Sequence, residues 1–334
     1  MENKKINFID YLRVICTILI FYDHMIPGTF LELYQTVPVT FVEKYIIWPF
    51  VIIQYFGHFS VTIFFMITGY LILKTNININ PFNYFVKKVF RFIPAIIISC
   101  LIFFVISHIF KLDNSFISYF SINGVLWTIR VQLLFYLFFL FFLHKLNTNP
   151  VYVLFFEILL SIVLTSTGIV FPKFSFFSAD CSNFFYIILG MIVFLHKQKR
   201  INLLTSIISI IICWICILKF NIWKFGPEFY DVGNSKGVST AYGFLVFCVF
   251  ALYDKNLKPL NKIFSYISEK SYYIYLNHIP ARIIVCTQTK RIMQEEKLDK
   301  SIVIWGGGIP IRVYSYIIAS DNYKQSGYFT SKTN

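Results

Sequence analysis

The sequence predicts an all-α, polytopic membrane helix bundle of about ten transmembrane helices, on three observations: bulk composition, long apolar runs, and the charge of the loops between them. Of 334 residues, 57% are hydrophobic and 14% charged, with a mean hydropathy of +0.67. A soluble domain carries about 25% charged residues. A chain this apolar cannot cover a water-facing surface, but it can cover one that faces hydrocarbon. The 40 Phe and 22 Tyr suit the same setting, since Tyr favours the membrane–water boundary.

A span needs about 20 mostly apolar residues. Runs of this kind cover 8–26, 51–73, 91–110, 124–143, 151–171, 183–196, 202–220, 240–253, 271–289 and 302–319. The sixth and eighth are short. The tenth is broken by Gly306, Gly307, Gly308 and Pro310, with Arg312 inside it. No small-residue cleavage site follows the first run, which reads as a retained span. No internal repeat or appended soluble domain is visible, and residues 1–334 read as one membrane domain.

Loop charge alternates. Lys4 and Lys5 precede the first span, and Lys74, Lys87, Lys88 and Arg91 follow the second. Lys145, then Lys197, Lys199 and Arg200, then Lys255, Lys258 and Lys262 mark every second loop thereafter. The other loops are weaker or balanced by acids. The positive-inside rule then predicts a cytoplasmic N-terminus in a multi-pass protein of the cytoplasmic (inner) membrane. The net charge of +14 is explained by this topology, so nucleic acid is not an expected partner; the lipid bilayer is. The seven Cys lie mostly in apolar runs and, with a lone Cys213-Trp214-Ile215-Cys216, give no metal-site spacing, so no metal is expected.

Polar groups inside a membrane are costly and mark functional candidates. The first span carries Asp10 and Arg13 near its start and Asp23 and His24 near its end. Arg13 and His24 are eleven positions apart, a rotation of about 20° beyond three turns, so both belong to one helix face. They are separated by roughly 16 Å along the axis. That spacing suits a long anionic substrate entering from the cytoplasm with its reactive end at the imidazole; a snorkelling Arg and a packed His fit the geometry equally well.

Five stretches in order resemble the acyltransferase-3 family of integral membrane O-acyltransferases. Arg13-x10-His24 resembles the family's arginine–histidine signature. The stretch from Gly57 through His58 to Ile72 resembles its second helix, with Thr68 where Ser is usual. Lys88-Val89-Phe90-Arg91-Phe92-Ile93-Pro94 resembles the opening of its third. The stretch from Trp127 through Gln132 to Phe135-Tyr136 resembles its Trp…Glu…Phe-Tyr motif, and Ser271 through Tyr275 and His278 to Pro280 resembles its late motif. The resemblance covers about residues 6–282, leaving 283–334 as an atypical tail.

The resemblance implies transfer of an acyl group, most often acetyl, from cytoplasmic acyl-CoA to a sugar hydroxyl. The acceptor would be a lipopolysaccharide, capsule or exopolysaccharide unit, with no tightly bound cofactor. On that reading Arg13, Lys88 and Arg91 meet the donor's phosphates. His24 serves as general base or acyl relay, and Asp10 orients Arg13. Asp23 tunes local charge. His58, Trp127, Tyr136, Tyr275 and His278 line or support the cavity. Gln132 departs from the pattern, because an amide cannot accept a proton as a carboxylate does. That departure and the tail keep a catalytically impaired homologue open. A transporter or flippase is the other alternative, since intramembrane Arg and His also mark transport paths.

Overall fold

The computed structural model describes residues 6–25, 56–74, 80–109, 126–146, 148–226 and 236–295, and two short strands at 303–306 and 309–312. The helices are α1 (Asn7–Met25), α2 (Phe56–Lys74), α3 (Pro81–Ile109), α4 (Leu126–Phe139), α5 (Pro150–Val170), α6 (Ser175–Cys181), α7 (Phe184–Lys197), α8 (Leu203–Phe225), α9 (Lys236–Tyr253) and α10 (Lys262–Glu295). A 3-10 turn over Leu140–Lys145 extends α4. Seven stretches among the described residues are long and apolar enough to cross a membrane. The end of the bundle where α1 begins, α2 stops at Lys74 and α7 stops at Lys197 is called the basic end below.

The helices start and stop for local reasons. The Asn149 side chain accepts from the Tyr152 N–H at 3.1 Å, just ahead of Pro150 at the first helical position of α5. Asn202 caps α8 in the same way, accepting from the Thr205 N–H at 2.7 Å, and Gly226 ends that helix at φ +81°.

Two helices form the centre. α2 packs against α1, α7 and α9, and α7 is buried along nearly its whole length. The α2–α7 crossing is close because Gly69 faces the Ile187 carbonyl and Gly190 faces the Met66 carbonyl; a methyl group at either glycine would run into the partner's backbone. In a bilayer, where hydrophobic burial cannot drive helices together, such small residues permit the dispersion contacts that do. Phe8, Tyr70, Phe194 and Phe247 stack edge to face where α1, α2, α7 and α9 meet. Large apolar side chains stay exposed along the outer faces of α3, α5 and α8, as with Leu101, Phe155 and Ile211. These are the faces turned to lipid.

The tenth apolar run is corrected. Val303–Gly306 and Ile309–Arg312 pair as two antiparallel strands, so this run is not a helix across those residues. Glycine costs about 1 kcal/mol in a helix relative to alanine, and proline about 3, which three glycines and Pro310 make prohibitive in so short a stretch.

Candidate functional site

At the basic end three cations from two helices gather around aromatic rings. Arg13 stands on α1, two turns from its start. Lys88 and Arg91 stand on α3, one turn apart. Arg13 and Lys88 each lie within electrostatic reach of Arg91. The Lys88 ammonium lies 5.1 Å from the Tyr84 ring centre and 5.3 Å from that of Tyr136 on α4. Each such cation–π contact contributes on the order of 1 kcal/mol and fixes a side chain that is otherwise flexible. Tyr136 also lies in the field of both arginines, and Tyr272 on α10 in that of Arg91. Arg13 is largely buried, Lys88 half-buried and Arg91 exposed, so the cluster grades from interior to surface.

The acid acting on Arg13 is Asp10, one turn earlier on α1, with 4.0 Å between its Oδ1 and an Arg13 guanidinium nitrogen. That same carboxylate oxygen accepts a 2.7 Å hydrogen bond from Ser268 on α10. Asp10 is therefore held by α10 while it faces Arg13 at the edge of ion-pair distance. Among the described residues one carboxylate stands against three cations, and partly buried like charges repel strongly unless an anion joins them.

Deeper in the bundle a second layer forms where α2, α4 and α10 meet. Tyr275 is buried, packs on Phe64 at 5.8 Å and hydrogen-bonds with Thr128. His278 is also buried; its Nδ1 meets the Tyr275 carbonyl and its ring lies 5.6 Å from that of Tyr275. The Ser99 hydroxyl donates to the Leu276 carbonyl at 3.1 Å, tying α3 to α10 beside this layer. Trp127 sits edge to face on Phe65 at 5.8 Å. His58 begins α2 and is half-buried, and Gln132 is half-buried on α4.

α1 runs unbroken from Asn7 to Met25, so the backbone register that relates Arg13 to His24 is intact. The side chains of Asp23 and His24 lie outside the described residues.

The family model for the acyltransferase-3 group, described as an acyltransferase domain, matches residues 6–308. The chain belongs to the acyltransferase-3 family. It is therefore a membrane acyltransferase, and the family match runs past Arg282 into the tail. No curated protein and no solved structure gave a significant match.

Within this acyltransferase, Arg13, Lys88, Arg91, Asp10 and Tyr136 come together at one end. Tyr275 and His278 form the layer above, with Trp127 nearby on α2 and α4 contacts. Sequence reasoning missed three members of the cluster. Tyr84 lies four residues before Lys88 and so shares its helix face, a signal available in advance. Tyr272 stands inside the late motif but was not separated from it. Ser268 carried no signal, because its role depends on α10 meeting α1. The acyltransferase also holds a paired charge that was not singled out: Arg130 forks onto Asp180 through Nε and through Nη2 at 3.0 Å, with its guanidinium 4.2 Å from the Phe176 ring.

Proposed function

We propose that the protein moves an acyl group, acetyl in the simplest case, from cytoplasmic acyl-CoA to a hydroxyl of a cell-surface or exported glycan. The observation that carries this reading is the cluster of Arg13, Lys88 and Arg91, against which the described residues set one carboxylate, Asp10. A nucleotide diphosphate supplies the missing negative charge, and arginine pairs with phosphate oxygens two at a time. The positive-inside rule puts that end in the cytoplasm, where acyl-CoA is found.

His24 follows Arg13 on the same helix face, roughly 16 Å further into the bundle. It accepts the proton of the sugar hydroxyl as that oxygen attacks the thioester carbonyl. The C–S bond breaks, CoA leaves as the thiolate, and the proton passes from the imidazolium to that thiolate or to water. The thiolate is a good leaving group, so the protein mainly positions two substrates and handles one proton. On this reading Tyr275 and His278 of the deeper layer border the donor's path.

The test is transfer of labelled acetyl from acetyl-CoA to surface glycan in isolated membranes. Wild type transfers label, whereas His24→Ala and Arg13→Ala lose it while still inserting at normal abundance. Undiminished labelling in both variants rejects the site.

A further inference from the structure

A cavity of about 370 Å³ shares no residue with the basic cluster: it is an apolar groove between the lipid-facing sides of α5 and α8. It runs from Val151 to Ile162 on one helix and from Thr205 to Ile212 on the other. Its α5 wall covers eleven residue steps, about 16 Å of helix rise. One leaflet of hydrocarbon is about 15 Å deep. The groove therefore spans a single leaflet, and it is the leaflet at the basic end, since both helices start there.

The segments that lead into its two helices are basic. The segment before α5 carries exposed Lys145, and the segment before α8 carries exposed Lys199 together with Arg200. Arg200 donates through Nη2 to the Leu146 carbonyl, which ties the two segments together. Lys199 adopts φ +56°, a left-handed conformation uncommon for a side-chain-bearing residue. An apolar trough one leaflet deep beneath a basic rim matches an amphiphile with one chain and a negative headgroup at the same depth.

We propose that the α5–α8 groove holds an acyl chain of an anionic phospholipid whose phosphate lies against Lys145 and Lys199. Two cations facing an anionic headgroup give roughly a tenfold or greater preference over a zwitterionic lipid. This site is independent of the donor and acceptor assignments above.

The experiment uses the full chain in nanodiscs of equal phosphatidylglycerol and phosphatidylcholine, released into native mass spectrometry to count the lipids retained. Wild type keeps phosphatidylglycerol in at least fivefold excess. Lys145→Ala/Lys199→Ala, both at exposed positions, lowers the phosphatidylglycerol excess to below twofold. Ile208→Trp, which fills the groove from a half-exposed position, reduces retention of both lipids. Equal retention of the two lipids by wild type overturns the proposal without any variant. Unchanged phosphatidylglycerol retention in either variant overturns it as well.

Discussion

Two sites on one helix, α4, treat positive charge in opposite ways. Arg130, near the start of α4, is matched: Asp180 takes its guanidinium in a two-pronged ion pair, and the Phe176 ring covers one face. Tyr136, six residues along, belongs to a site where, among the described residues, cations outnumber acids: Arg13 faces Asp10, and Arg13 and Lys88 each stand in the field of Arg91. A paired cation holds helices, here α4 to α6. A group of cations that outnumbers its acids and grades from buried to exposed is, on the proposed reading, a place for a polyanion. On that reading the difference separates a structural charge from a binding one without reference to motif.

Substitutions sharpen that contrast, and the largest effect belongs to the unmatched side. Arg13→Ala should reduce acetyl transfer at least a hundredfold, with Arg13→Lys recovering only part of it, because a point charge cannot replace a fork. Comparison of initial rates in membranes decides this. Lys88→Ala should raise the acyl-CoA KM about tenfold, about 1.4 kcal/mol, with kcat within twofold. A fall in kcat at unchanged KM would assign Lys88 to chemistry rather than to binding.

The matched side should behave otherwise. Arg130→Ala leaves Asp180 without its fork, which should cost roughly 1–2 kcal/mol, discounted because Arg130 is 42% exposed. Thermal unfolding of purified protein should show a lower midpoint while the acyl-CoA KM stays at the wild-type value. The smallest change is expected at Gln132, which lies between the two sites on α4. Gln132→Glu should maintain or raise transfer; complete loss would mean that the neutral amide is specifically required at this position.

Most of the bundle was legible because each span is an uninterrupted apolar stretch. Boundaries drifted where helices leave the hydrocarbon. α3 begins at Pro81, well before the apolar run at 91, because its first turns carry Lys87, Lys88 and Arg91 on the basic end. α10 begins at Lys262 for the same reason. The short sixth run is explained by α7: it is enclosed by other helices and is preceded by the separate helix α6, so it need not match the bilayer by itself. The tenth run, interrupted in sequence by glycine and proline, pairs Val303–Gly306 with Ile309–Arg312 as antiparallel strands.

The candidate site was legible where residues share a helix face, as with Lys88 and Arg91 or Arg13 and Asp10. What could not be read was contact between distant segments. Ser268 reaches Asp10 across 258 residues, and Arg130 reaches Asp180 across 50. Glu157 is another such case. It is a buried carboxyl on α5 in line with Ser161 and Thr165, in the middle of a run that read only as apolar.

The proposed donor site is tested most directly by the affinity of acetyl-CoA for the protein in nanodiscs, measured by titration calorimetry at two salt concentrations. Wild type should bind, with affinity falling as salt rises. Lys88→Ala/Arg91→Ala should weaken binding at least tenfold and flatten that salt dependence. Equal affinity and equal salt dependence in the two proteins would contradict the account, and the three cations would then need another partner.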